Sequence, residues 1–295
     1  MKKSSVIFFI LIFLFMGCTS PFSNSHSSAS TLSEKQYIEN KGSDTLVNLA
    51  LAWAEAYQLQ HPEVQISVSG GGTGTGITAL INGTVDIANA SRAIKEEEIA
   101  NAEANGIEPY EIVVANDAIA VIVNPENPVN RLTIEQVSLI YQGIITNWKE
   151  VGGEDHPIVC LSRETNSGTH VYFLETVVRM GDPKSNALFS VETLLLPSSE
   201  GIIAEVRDNP NAIGYDGLGY VTNEVKMIAL DNGVGYILPS EETVSNHTYP
   251  IARQLYMYTN GEPQGIVKNY IEWIRSSEAQ QYVLDLGFIP YNQGE

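Results

Sequence analysis

The chain contains little cysteine. Its 295 residues include two, Cys18 and Cys160. If Cys18 carries a lipid, Cys160 has no disulfide partner, and the folded chain must depend on its hydrophobic core. Cys160 lies in an apolar, strand-like run at residues 157–161, and we interpret it as a small buried hydrophobic residue rather than a reactive thiol.

Basic residues are also scarce. The chain has 16 Lys and Arg against 35 Asp and Glu, a formal net charge of −19 at pH 7. Such an acidic chain lacks the electrostatic footprint of a nucleic-acid-binding protein. It does not exclude an anionic ligand, because a buried anion is held by local dipoles and hydrogen bonds, and surface charges are screened within about 8–10 Å.

No hydrophobic run is long enough to cross a membrane. The longest, at residues 6–16, follows Met1-Lys2-Lys3 and is shorter than the roughly 20 apolar residues of a spanning helix. This pattern predicts a signal peptide at residues 1–17. Gly17-Cys18 resembles a lipoprotein cleavage site, with Cys18 as the lipidated residue; the alternative is an ordinary secretory signal. Residues 18–34 are rich in serine and predict a disordered tether.

Several catalytic signatures are missing. The glycine loop at residues 70–76 is not followed by the Lys-Ser/Thr of a P-loop and lacks dinucleotide-fold spacing. No Gly-x-Ser-x-Gly elbow and no His/Cys spacing typical of a metal site occur. We therefore predict no metal, no cofactor and no catalytic residues. A phosphatase or serine hydrolase that uses Ser167 is the weaker alternative.

The hydrophobic pattern alternates between strands and helices. Strand-like runs at residues 37–40, 64–68 and 85–90 alternate with helical patterns at 46–60, 77–82 and 95–105. This order predicts an α/β fold with an open, largely parallel sheet. A second set of elements follows a long β run at 112–123, and no low-complexity linker separates the halves. We therefore expect two lobes joined by crossing strands.

Three turns rich in glycine and hydroxyl groups each lie between a predicted strand and a helix. They are Gly42-Ser43-Asp44-Thr45, residues 70–76, and Asn166-Ser167-Gly168-Thr169. Ligands of α/β sheets bind where strands end and helices begin. Free N–H groups and the helix dipole there attract anions. Arg163, four residues before Ser167, adds a guanidinium suited to a tetrahedral oxyanion, although a surface ion pair is its simpler interpretation.

These motifs together resemble a known family. The chain is similar to the phosphate-binding proteins of bacterial high-affinity phosphate ABC transporters, which have a type II periplasmic-binding-protein fold. The resemblance covers most of the chain after the tether, and its matching segments include residues 41–46, 69–77, 87–92, 140–153, 162–169 and 209–215. The resemblance implies a ligand cleft between two mixed-sheet α/β lobes. We expect lobe I at residues 35–115 plus 252–295, and lobe II at 116–251.

The resemblance also implies site residues. Hydroxyl ligands would be Ser43, Thr45 and Thr73; Arg163 would supply charge; and Ser167, Gly168 and Thr169 would form the third turn. Where the family's best-known members have an aspartate, this chain has Ser91-Arg92. We expect a hydroxyl role for Ser91 and a second positive charge from Arg92.

Selectivity needs a proton acceptor. Phosphate at neutral pH carries a proton and sulfate does not, so a buried carboxylate accepts a hydrogen bond from phosphate and repels sulfate. Asp44 is the candidate, with a helix N-cap as its equally weighted alternative. His170, the histidine nearest to the motif, is expected on the helix surface.

The resulting prediction is a lipid-anchored extracytoplasmic binding protein and not an enzyme. It would capture inorganic phosphate as a monomer by lobe closure and deliver it to the permease subunits of an ABC transporter. The alternatives are a binding protein for another oxyanion, such as sulfate or molybdate, and a surface sensor or adhesin.

Overall fold

The computed structural model describes residues 36–291. The predicted signal peptide, Cys18 and tether lie outside these described residues. Within them, no helix combines the length and the apolar character that crossing a membrane requires.

Thirteen strands occur in the described range. They are β1 Gln36–Gly42, β2 Val64–Ser69, β3 Ile87–Ala90, β4 Pro109–Val123, β5 Arg131–Leu132, β6 Val159–Arg163, β7 Leu194–Leu196, β8 Ala212–Gly217, β9 Lys226–Met227, β10 Ala229–Asp231, β11 Tyr236–Ile237, β12 Ala252–Asn260 and β13 Ile289–Pro290.

Nine α-helices lie between the strands of this part of the chain. They are α1 Asp44–Gln60, α2 Thr73–Ile81, α3 Glu96–Ala104, α4 Ile134–Tyr141, α5 Gly168–Phe173, α6 Ser199–Asp208, α7 Glu241–Ser245, α8 Gly265–Ile274 and α9 Ser277–Asp285. A π-helical stretch, Leu174–Val178, continues α5.

The main sheet is mixed. Its strand order is β2-β1-β3-β12-β4-β8-β6-β7, with β13 and β9 also paired to β4. β1, β2 and β3 are parallel, as are β6, β7 and β8. β12 runs antiparallel to both β3 and β4. The parallel expectation is therefore right at each end of the sheet and wrong in its middle, where the returning strand β12 is inserted.

Strand β4 links the two ends of the sheet. Its first part pairs with β12 from Pro109 to Ala118, and its last part pairs with β8 from Ile119 to Val123. In the ladder between β4 and β12, Asp117 is the direct partner of Arg253. A long strand with two successive partners is the kind of crossing element that the sequence led us to expect.

Burial explains which residues build the framework. One large apolar cluster includes Ile38, Trp53 and Tyr270, and a second includes Tyr141, Phe173 and Tyr215. The rings of Phe173 and Tyr215 stack with centroids 3.6 Å apart. This packing anchors α5, the helix that follows the Asn166-Ser167 turn, against strand β8.

Helix α2 begins earlier than the sequence predicts. The sequence places a helix from residue 77, whereas α2 begins at Thr73, inside the glycine loop. The glycines allow this because the helix lies directly on β1: a Cβ atom at Gly76 would be 2.6 Å from the carbonyl oxygen of Lys41. Close helix–strand packing therefore overrides the weak helix propensity of glycine.

Candidate functional site

Hydroxyl groups from separate turns meet in the interior of the molecule. The Oγ1 atoms of Thr45 and Thr169 are 3.0 Å apart, and Thr73 Oγ1 is 3.2 Å from Ser91 Oγ. All four side chains are buried. We call these four residues the hydroxyl cluster. It joins residues that the sequence distributes over more than 120 positions.

Gly168 lies against this cluster. A Cβ atom at this position would be 2.4 Å from Thr73 Oγ1 and 2.5 Å from Ser91 Oγ. Those distances leave no room for any side chain. The glycine therefore lets the start of α5 approach the hydroxyls of the other two segments, as expected for residues that share one small ligand.

Arg253 completes the cluster, and the sequence analysis missed it. Its Nη2 donates to Thr169 Oγ1 at 3.0 Å and to Thr45 Oγ1 at 3.4 Å, and its Nη1 donates to the Ser91 carbonyl oxygen at 2.9 Å. One guanidinium thus contacts three members of the cluster. A signal was present: Arg253 follows the apolar Ile251-Ala252 in a strand-like run, where an ionised side chain needs a partner.

That partner is Asp117. Its Oδ2 accepts from Nη2 of Arg253 at 2.8 Å and from Nε at 3.1 Å, and its Oδ1 accepts from the Leu218 N–H. Asp117 is fully buried. Burial raises the pKa of its carboxyl, against the opposing charge of Arg253. The pair places a carboxylate of raised pKa beside the hydroxyls.

Arg163 belongs to a second charged group. Its Nη2 donates to Asp44 Oδ2 at 2.7 Å and to the Pro197 carbonyl oxygen, and its Nη1 donates to Ser199 Oγ. Its side chain is 1% exposed. The alternative of a surface ion pair is therefore wrong, and Arg163 is a buried charge at the junction of α1, β6 and α6.

Asp216 lies on the other side of Arg163, with its Oδ2 3.8 Å from Nη1. Its Oδ1 accepts from Ser199 Oγ and from the Gly217 N–H, whereas no hydrogen-bond partner of Oδ2 is found in the described part of the chain. Burial raises the pKa of this carboxyl to about 6, with Arg163 opposing the rise. Three carboxylates, those of Asp44, Asp117 and Asp216, therefore lie beside the guanidiniums of Arg163 and Arg253. The group has one more formal negative charge than positive charges.

Asp44 is not the helix cap that the sequence allowed as an alternative. Helix α1 begins at Asp44, so Ser43 occupies the N-cap position. The Asp44 carboxylate instead accepts from the Gly71 N–H at 2.8 Å and from Arg163. Ser43 is buried, and no partner of its hydroxyl lies within the described residues.

Arg92 is placed differently from its neighbours. Its Nη1 and Nη2 contact the two carboxylate oxygens of Glu98 at 2.8 and 2.7 Å. Glu98 already neutralises this charge, and Arg92 lowers the pKa of the Glu98 carboxyl against the effect of burial, which alone would raise it. Arg92 as a ligand residue stays a prediction, without a supporting contact to the hydroxyl cluster within residues 36–291.

Ser167 caps helix α5 and accepts from the His170 N–H at 3.5 Å. The expected surface position of His170 is wrong, because its ring packs on Phe189 and its Nδ1 is 3.0 Å from Ser162 Oγ. Burial lowers the pKa of His170. Cys160 lies in β6, the strand that also contains Ser162, and is half-buried. Burial raises the pKa of its thiol to about 12, which agrees with an unreactive side chain.

Across residues 36–291, no group of three or more His, Cys, Asp or Glu side chains is arranged to hold a metal ion. The buried groups include hydroxyls and guanidiniums, which bind an oxyanion by hydrogen bonds and charge. They also include carboxylates, which can accept a hydrogen bond from an oxyanion that carries a proton.

The fold and these buried groups define a class of protein: a two-lobed type II periplasmic binding protein with a mixed α/β sheet. The PBP superfamily domain matches residues 27–278 of the chain. The phosphate-binding protein PstS of Pseudomonas aeruginosa is 32% identical over 272 residues, covering 86% of this chain and 82% of that protein. PstS of Bacillus subtilis is 30% identical over 299 residues, covering 98% and 95%.

A solved structure agrees with the sequence relatives. It is a candidate phosphate ABC transporter substrate-binding protein from Clostridium perfringens, determined with bound phosphate. It is 33% identical to this chain, has a TM-score of 0.78, and the alignment covers 87% of this chain and 100% of that one. The chain belongs to the family of PstS-like phosphate-binding proteins within the PBP superfamily. Its family is one of transporter substrate-binding proteins and not of enzymes.

Proposed function

We propose that this protein captures inorganic phosphate between its two lobes and delivers it to the permease of an ABC transporter. The observation that carries the proposal is the buried hydroxyl cluster, joined to Arg253 and closed by Gly168. The Pseudomonas and Bacillus relatives are named phosphate-binding proteins, and the Clostridium structure contains phosphate, so both support the same ligand.

The residues would divide the work by chemistry. Hydroxyl donors would come from the hydroxyl cluster and from Ser43 and Ser167, and a backbone donor from the N–H of Gly168. Arg253 and Arg163 would supply positive charge. Each hydrogen bond to a charged group contributes about 1.5–3 kcal/mol, so a handful of them accounts for tight binding.

We propose Asp117, rather than Asp44, as the acceptor of the phosphate proton. Asp117 shares Nη2 of Arg253 with Thr169, which puts its carboxylate next to the hydroxyl cluster. Its raised pKa favours sharing a proton. Asp44 already accepts from Arg163 and Gly71. Sulfate, which has no proton to donate, would face an uncompensated negative charge.

The family is extracytoplasmic, and we propose that this member is a monomer anchored to the outer face of the cell membrane through a lipid on Cys18. The support is sequence alone: the short apolar run, Gly17-Cys18 and the serine-rich tether. Metabolic labelling with a palmitate analogue tests it. Label in the wild type and none in Cys18→Ala is expected, and an unlabelled wild type would leave a secretory signal.

The decisive measurement is isothermal titration of residues 33–295, stripped of bound anion, with phosphate and then sulfate. We expect tight phosphate binding and negligible sulfate binding. Sulfate binding instead would change the ligand class, and binding of neither anion would contradict the proposal.

Two matched variants separate the acceptors. Asp117→Asn should reduce the preference for phosphate over sulfate by tenfold or more, because the amide no longer accepts the phosphate proton as a charged group and no longer repels sulfate. Asp44→Asn should leave that preference unchanged. The reverse pattern would return the acceptor role to Asp44.

A further inference from the structure

Asn166 connects two loops that the sequence assigns to different lobes. The Gly74 N–H donates to the Asn166 carbonyl oxygen at 3.0 Å. The Asn166 Nδ2 donates to the Gly71 carbonyl oxygen at 2.9 Å. Asn166, two residues before the start of α5, therefore holds the loop at the start of α2 by two hydrogen bonds. Its partner Gly71 is 95 positions away along the chain.

The glycine loop is shaped around this contact. A Cβ atom at Gly72 would lie 2.9 Å from the Asn166 carbonyl oxygen and 3.3 Å from its Cγ, and at Gly74 it would lie 3.4 Å from the same oxygen. Gly72 also has φ +89°, a conformation that favours glycine. Gly72 therefore lets Asn166 approach, whereas a side chain at Gly74 would make a contact at the edge of the ordinary van der Waals range.

The contact lies beside the proposed ligand site without belonging to it. Thr73 stands between the two glycines, and Gly168, which touches Thr73, is two residues after Asn166. Thr73 and Gly168 are buried, whereas Asn166 is exposed. Asn166 therefore joins the start of α5 to the glycine loop at the protein surface, next to the buried hydroxyl cluster.

We propose that Asn166 is a positioning residue that holds the closed cleft shut and so sets the rate of phosphate release. The inference rests on the proposed function. Its hydrogen bonds join segments that the sequence assigns to different lobes, so in this proposal they form when the lobes close and break before phosphate leaves. A contact made only in the closed state favours that state, and most affinity differences within one binding site arise in the dissociation rate.

The test is stopped-flow kinetics of phosphate binding and release for Asn166→Ala, with Thr165→Ala, its exposed neighbour, as the matched control. The alanine removes the donor to Gly71 and keeps the backbone acceptor for Gly74. We expect the dissociation rate to rise about threefold to tenfold, the range that loss of one net hydrogen bond implies. The association rate should stay within about twofold, and Thr165→Ala should match the wild type.

An unchanged dissociation rate in Asn166→Ala would overturn the proposal. So would a lower association rate with unchanged release, since that would make Asn166 part of the entry path. A second measurement does not depend on phosphate: hydrogen exchange of the amides at residues 71–76. Exchange should be faster in Asn166→Ala than in the wild type, and equal exchange would refute the proposed role of Asn166 in holding the glycine loop. A wild type that binds no phosphate contradicts the proposed function, while this exchange result still decides the role of Asn166.

Discussion

The protein contains two buried arginine–aspartate pairs that are built in different ways. Arg253 and Asp117 are direct cross-strand partners on β12 and β4. Arg163 lies on strand β6 and Asp44 at the start of helix α1, so no strand pairing aligns them. The first pair is held in register by the sheet itself, whereas the second depends on where the start of α1 lies relative to β6. The position of Arg253 is therefore fixed by pairing between neighbouring strands, and that of Arg163 by its side-chain contacts.

The two pairs also differ in exposure. The Asp117 side chain is 0% exposed and that of Asp44 is 18% exposed. An ion pair taken fully out of water depends on both partners, because the remaining charge cannot be solvated when one is removed. We therefore expect the fully buried Arg253–Asp117 pair to matter for folding and binding, and the partly exposed Arg163–Asp44 pair mainly for binding.

The largest effect should come from Arg253→Ala. It leaves Asp117 buried without its partner, a change that typically costs 3–5 kcal/mol of stability. It also removes the guanidinium from Thr45 and Thr169, so phosphate binding should fall by more than about 100-fold. Urea unfolding and calorimetric titration measure the two effects. Wild-type stability in this variant would show that the sheet does not need the pair.

The charge and the packing of Arg253 can be separated. Arg253→Lys keeps a positive charge but loses the planar fork that contacts Asp117 and the hydroxyls together. Its stability should lie between those of the wild type and Arg253→Ala, and its affinity should stay low. Full affinity in Arg253→Lys would mean that charge alone is required.

Arg163→Ala should have a smaller effect on stability and a clear effect on binding. We expect phosphate affinity to fall tenfold or more, since one hydrogen bond to a charged group contributes about 1.5–3 kcal/mol. The phosphate-free protein should lose less stability than Arg253→Ala does, because Asp44 is partly exposed and can be solvated when Arg163 is removed. Titration calorimetry and urea unfolding of the stripped protein test this. Affinity equal to the wild type would remove Arg163 from the site.

The smallest expected effect is a pH dependence of the stability that comes from His170. Burial lowers the folded-state pKa of His170, so the unfolded chain binds a proton more readily. Stability from this group is complete above about pH 6.5, the unfolded value, and is lost as the pH falls from there to the lowered folded pKa. One proton gives a slope of at most about 1.4 kcal/mol per pH unit.

His170→Gln removes this titration. Urea unfolding at pH 5 and at pH 7 should show that stability rises less with pH, or falls more, in the variant than in the wild type. Asp216, with its pKa raised to about 6, acts in the opposite direction: its contribution is present below about pH 4 and is lost as the pH rises through 6. Parallel profiles in the two proteins would show that His170 is protonated equally in both states.

Local motifs made part of the site predictable. Ser43, Thr73 and the turn at residues 166–169 stand where strands give way to helices, and this arrangement is written in contiguous sequence. The structure brings Thr45, Thr73, Ser91 and Thr169 together. The central cation, however, was not predictable in this way, because Arg253 lies 136 residues from Asp117 along the chain. The partner of Arg92 was also missed, although Glu98 is six residues away.

By itself, the sequence determined the class of fold, the three hydroxyl-rich turns and the family resemblance, because these depend on periodicity and on short contiguous motifs. Only the tertiary structure decided which charges share the site. In the structure, Arg253 pairs with Asp117 across the sheet, Arg92 pairs with Glu98, and Asn166 donates a hydrogen bond to the glycine loop. The physical reason is that a buried charge or polar group takes whatever partner the fold brings within hydrogen-bond distance, and sequence separation does not limit that choice.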